Sequence, residues 1–173
     1  MDDQARLREI LERNAGKIRS EPSLARHTGR TTVRLRPGLE CEVEDGAWRL
    51  TVGMGEQSGG NNAGPSPGTL GRGALGSCLA IGYSMWAARL GVPLRSLEVE
   101  VAADYDSRGE LGVSEDVNPG YQQVRYTVTI DSPEPREAVL RMLDTADRYS
   151  PYRDVFSRPN DVRRLVRFVG QGD

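Results

Sequence analysis

Between Pro65 and Gly91 the chain carries about two dozen residues with hardly a charge, PSPGTLGRGALGSCLAIGYSMWAARLG. This run constrains the fold more than any other stretch. A Pro/Gly/Ser loop opens it, and Pro67 suits a first helical turn, where its missing N–H costs nothing. Gly91 supplies a left-handed stop and Pro93 prevents resumption, so the pattern predicts one long helix over about 68–90. At 100° per residue, Cys78 shares a face with Ala74, Leu75, Ile81, Gly82 and Met85, while Leu79, Tyr83 and Trp86 cover other sides. A helix apolar nearly all round must be buried nearly all round. Its many small residues, Gly76, Ala80 and Gly82 among them, let another backbone come close.

The flanking patterns say what is available to cover it. Residues 3–19 place Leu7, Ile10, Leu11, Ala15 and Ile18 at helical spacing with charges elsewhere, an amphipathic helix ended by Pro22. From Thr31 to Gly53 the period falls to two through TTVRLR, LECEVE and AWRLTVG, with turn signals at Pro37-Gly38 and Asp45-Gly46. Residues 54–66 read as a Gly/Asn-rich loop. After the long helix, LEVEVAADY at 97–105 and YQQVRYTVTI at 121–130 alternate as half-buried strands around a loop at 106–120. Helical spacing returns at 134–148 through Val139, Leu140, Leu143 and Ala146. Ser150-Pro151 reads as an N-cap with Pro at the first helical position, opening a short helix toward Phe156. VRRLVRFV at 162–169 reads as a final strand.

The expected order is α-βββ-α-ββ-α-α-β, a single α+β domain over 1–173 with a sheet of about six strands, residues 1–22 being a helical extension. One such sheet offers one apolar face, which leaves the long helix short of cover. A second copy can supply the rest, so we expect an intertwined homodimer with paired central helices between two sheets.

Composition narrows the function. A net charge of −2 gives no basic excess for phosphates, against nucleic-acid binding. The apolar run from Gly73 to Ala88, about 16 residues, falls short of the roughly 20 that span a bilayer. The charged start, MDDQARLREILERN, holds no apolar signal segment, so a cytoplasmic location and no membrane partner are expected. Two cysteines and one histidine cannot form a zinc site of the usual kind, so no metal is expected.

GRGALG at 71–76 fits the letters of the dinucleotide fingerprint, but prolines rather than a strand precede it, and its glycines suit close helix packing instead. Cys78 is the functional candidate. A mid-helix Cys among Ala, Leu and Ile is commonly an inert small hydrophobe; a thiol that attacks peroxide needs a cation beside it. Arg72 lies about 120° off the Cys78 face and Arg89 about 16 Å along the axis at 1.5 Å per residue, so an activating Arg must come from the hairpin region or a partner chain. The residues alone leave both readings of Cys78 open. Cys41, between Glu40 and Glu42, reads as structural, although a Cys41–Cys78 bridge is compatible with the sequence. His27 reads as a surface residue, and Ser150 as a cap rather than a nucleophile.

With these residues in view, GPSPGTLGRGALGSCLAIGYSMWAARLGVPLRSLEVEV resembles the OsmC/Ohr family of thiol-dependent peroxidases, in its proline-started helix, its A-L-G-x-C core and its following L-x-V-x-V strand. The resemblance covers roughly 30–169. It implies an OsmC-like fold, an intertwined homodimer with sites at the subunit interface, and Cys78 as the peroxidatic thiol, oxidised by an organic hydroperoxide to a sulfenic acid. In the Ohr branch an Arg from the N-terminal strands pairs with the thiolate. Arg26, Arg30, Arg34 and Arg49 are eligible, and Arg30 is preferred because it begins the first strand.

The chain departs from the family twice. Its resolving Cys, heading a C-P-V sequence, is Ser150 here, and the Ohr branch's Glu ten residues before the reactive Cys is Gly68. The resemblance therefore implies a one-Cys cycle of hydroperoxide reduction with an external thiol reductant and no bound cofactor. The alternative is a non-catalytic binding module of the same fold for a hydrophobic small molecule.

Overall fold

A computed structural model describes residues 3–170. α1 (Asp3–Ser20) leads through a 3-10 turn to the strands β1 (Thr32–Arg36), β2 (Glu40–Asp45) and β3 (Trp48–Gly53). The long helix α2 (Pro67–Leu90) follows, then β4 (Ser96–Asp104), the single turn α3 (Ser107–Glu110), β5 (Gln123–Asp131), α4 (Arg136–Arg148) and α5 (Pro151–Ser157).

The limits of α2 come from its ends. Ser66 Oγ accepts the Thr69 N–H at 3.2 Å, Pro67 occupies the first position, and Gly91 ends the helix at φ 69°. One stripe, Leu75, Leu79, Tyr83 and Ala87, is fully buried. It faces the inner side of the antiparallel β4–β5 pair, where Leu97 lies opposite Ile130, Val99 opposite Val128 and Val101 opposite Tyr126. At Gly76 the helix comes so close to β4 that an added Cβ would lie 3.3 Å from Val101 Cγ2.

α4 closes the core through Val139, Met142 and Ala146. Met142 is fully buried whereas Leu140 is 45% exposed, so the inward stripe sits slightly round from the one that the leucines suggest. α1 lays Leu7, Ile10, Leu11 and Ala15 half-buried on α2, with Gln4 Nε2 donating to the Val92 carbonyl at 3.2 Å.

β1, β2 and β3 form a separate antiparallel sheet. Val33, Val43 and Leu50 align across it, as do Leu35, Cys41 and Val52, giving one apolar face. The other face carries Arg34 and Arg49 against Glu44 and Arg36 against Glu42. Among the described residues no helix packs closely on the apolar face, and Leu35 remains 71% exposed and Trp48 80%.

Two expectations are corrected. Among the described residues there are five strands in sheets of three and two, not a sheet of about six. The final strand expected at 162–169 is absent: 158–168 runs outside any sheet, with Leu165 93% exposed. A strand exists only against an edge that satisfies its N–H and C=O groups, and within one chain this segment meets none. The cover of α2 is also incomplete. Thr69, Gly73, Ser77, Ile81 and Met85 form an exposed flank.

Candidate functional site around Cys78

Cys78 lies on α2 beside the buried Leu75–Leu79 stripe, half-buried and with a free thiol. Its Sγ is 3.8 Å from Ser150 Oγ, a contact spanning 72 residues of sequence. Ser150 is buried, 5% exposed. Its Oγ accepts the Arg153 N–H at 3.4 Å as the N-cap of α5, as the Ser-Pro pair predicts, which leaves its own proton available toward the sulfur.

Two contacts fix Ser150 there. The neighbouring Tyr149 ring stacks on Trp86 of α2 at 5.0 Å, and the Arg89 guanidinium lies over the Trp86 ring at 4.5 Å. Beneath them Asp147 accepts from Tyr83 Oη at 2.6 Å and from Tyr126 Oη at 2.7 Å, and Arg153 Nε donates to Tyr126 Oη at 3.2 Å. Burial first, and then the bond to Asp147, pushes the Tyr83 phenol well above its ordinary range. The same two causes raise Tyr126. Periodicity alone misses this network: Asp147 reads as one more charge in the last turn of an amphipathic helix, and a tyrosine in a strand reads as packing.

Among the described residues no cation is hydrogen-bonded to the Cys78 sulfur, whose partner is Ser150. Arg30 sits exposed two residues before β1, which begins at Thr32 rather than at Arg30, and no hydrogen bond links it to Cys78. Arg34 and Arg49 are both committed to Glu44. Arg26 and Arg30 remain without an acidic partner among the described residues. Cys41 lies in the other sheet, opposite Leu35 and Val52, and forms no disulfide with Cys78. No group of three or more metal-ligating side chains occurs among the described residues. No helix there is long and apolar enough to cross a membrane.

The family model for OsmC-like protein matches residues 59–163, from the loop before α2 to the segment beyond α5. The chain belongs to the OsmC-like family. Solved structures share the fold at low identity. The OsmC-like protein from Mycoplasma pneumoniae aligns with TM-score 0.66 and 13% identity over 75% of this chain and 87% of that chain. An OsmC-like hydroperoxide resistance protein from Jannaschia sp. gives 0.52 and 17%, over 82% and 92%. The organic hydroperoxide resistance protein OhrB of Bacillus subtilis gives 0.51 and 16%, over 76% and 91%. No curated protein sequence matches. Within this OsmC-like chain, Cys78 and Ser150 meet across 72 residues of sequence, sulfur against hydroxyl oxygen.

Proposed function

We propose that this OsmC-like protein reduces organic hydroperoxides by a one-cysteine cycle at Cys78, as a cytoplasmic homodimer in oxidative-stress defence. Family membership and the hydroperoxide resistance named for proteins of the same fold support the class of reaction. The observation that carries the mechanism is the 3.8 Å approach of Cys78 Sγ to the Ser150 hydroxyl. The Cys78 thiolate attacks one peroxide oxygen, the O–O bond breaks, and the alkoxide leaves and takes a proton as an alcohol. Cys78 becomes a sulfenic acid. Ser150 offers a hydroxyl but no sulfur, so an external thiol attacks the oxidised sulfur and water leaves. A second thiol cleaves the mixed disulfide, releasing the reductant's disulfide and restoring Cys78.

The homodimer rests on surfaces that one chain leaves bare: the apolar face of β1–β3, the Ile81–Met85 flank of α2, and the apolar segment after α5. A second copy would bring the same three apolar surfaces to cover them. It is also the proposed source of Arg30 for the thiol, because that residue belongs to the stretch entering the bare sheet.

The test is consumption of cumene hydroperoxide with a small thiol reductant, alongside sulfenic-acid labelling. Cys78→Ser is expected to abolish both, and Cys41→Ser to leave both intact. Equal loss in the two variants would contradict the assignment. No consumption and no labelling of the native protein would leave the fold as a binding module for a hydrophobic small molecule.

A further inference from the structure

Two arginines in the described chain are half-buried, Arg72 and Arg89. Arg89 is accounted for by the face of Trp86. Arg72 has no carboxylate within ion-pair distance among the described residues. Its contacts are long ones to neutral oxygens, Tyr121 Oη at 3.4 Å and Thr69 Oγ1 at 3.5 Å. It opens into a cavity of about 370 Å³ at the start of α2, walled by Met54, Pro67 and the rings of Tyr105 and Tyr121, which stand 6.5 Å apart. Cys78 does not line it.

A guanidinium taken partly out of water is costly without an anion, and its planar fork fits a carboxylate. On a helix that partner ordinarily comes from a Glu four residues earlier. Here the position is Gly68, and a Cβ built on it would lie 3.4 Å from Arg72 Nη1. Among the described residues no acid thus stands within ion-pair distance of Arg72. Tyr121 Oη donates to the Gly68 carbonyl at 3.0 Å, which holds the ring beside that spot. The walls are apolar and aromatic, and Glu110 stands at the exposed rim, where it repels a second negative charge.

We propose that this cavity binds a small organic monocarboxylate with a flat apolar body, its carboxylate on Arg72 and its body against Tyr105 and Tyr121. The site is separate from Cys78 and goes beyond the hydroperoxide reading, which can fail without touching it. The probe is benzoate, with benzamide as its neutral isostere, titrated calorimetrically into the full chain. Benzoate is expected to saturate a site and to bind at least tenfold more tightly than benzamide. Gly68→Glu, which provides Arg72 with an internal partner, and Arg72→Gln are each expected to weaken benzoate at least tenfold. Cys78→Ser is expected to bind benzoate as the native chain does. Equal binding of benzoate and benzamide, no saturable binding up to millimolar concentration, or undiminished binding by either Gly68→Glu or Arg72→Gln overturns the proposal. The benzoate–benzamide comparison on the native chain decides the matter even if a variant fails to fold.

Discussion

Replacing Ser150 by Cys puts a second sulfur beside Cys78, near enough to test for a bridge. Sγ and Oγ are 3.8 Å apart, and a bridge would close that gap to about 2.05 Å. The bridge would close a loop spanning 72 residues of sequence separation. On the chain-entropy account that loop is worth about 4.4 kcal/mol. At roughly 2–4 °C per kcal/mol for a chain of this size, the oxidised variant should melt roughly 9–18 °C above its own reduced form as an upper bound. Losing the serine cap lowers the reduced form by about 1 kcal/mol, so the comparison must be within the variant.

The assay is thiol titration after denaturation, with calorimetric melting of both forms, following one equivalent of either diamide or cumene hydroperoxide. Both oxidants should remove two thiols and leave Cys41 free. If diamide leaves all three thiols titratable, the Cys78–Ser150 juxtaposition is wrong. If diamide closes the bridge and hydroperoxide does not, the site is placed correctly and the proposed reactivity of Cys78 fails.

Tyr83→Phe should flatten the alkaline limb of stability. Above pH about 10 the unfolded tyrosine has released its proton while the folded phenol, raised by burial, keeps it. Native stability therefore falls with rising pH there, by up to about 1.4 kcal/mol per unit from this group; an unchanged slope in urea titrations of the variant would refute the role. Gly76→Val drives two methyl groups toward Val101, whose Cγ2 is already only 3.3 Å from where a Cβ at this position would lie, and should cost roughly 1–3 kcal/mol by chemical denaturation; a neutral result would mean that helix and strand separate easily. Light scattering should give twice the chain mass of 19.0 kDa, and Leu35→Glu should return it to one copy, whereas a monomeric native protein at all concentrations would remove the proposed dimer.

Much of the fold is legible in the chain because local chemistry and packing agree. Ser66-Pro67 and Gly91 bound α2 within a residue of expectation, and Asp45-Gly46 turns β2 into β3, with Gly46 at φ 56°. Ser150-Pro151 caps α5 as its letters suggest. The contact of Ser150 with Cys78 comes through family resemblance, because no periodic pattern joins residues 72 apart. The terminal strand fails for a related reason: alternation records that one side of a segment is apolar, not that an edge is present to receive it. Arg30 is not legible in the same way, since a cation's partner depends on where a whole sheet is carried.

That sheet is joined to the rest of the fold through the loop before α2, where the Gly53 N–H reaches the Pro65 carbonyl at 3.1 Å and the Asn61 N–H reaches the Gly38 carbonyl at 3.2 Å. One side of this slab is oily, so in the proposed dimer its final seating would be a bimolecular event. Melting temperature should then climb with protein concentration instead of being a constant of the sequence. A cell that makes this chain sparingly would hold much of it unfinished, and abundance itself would set how much of it works.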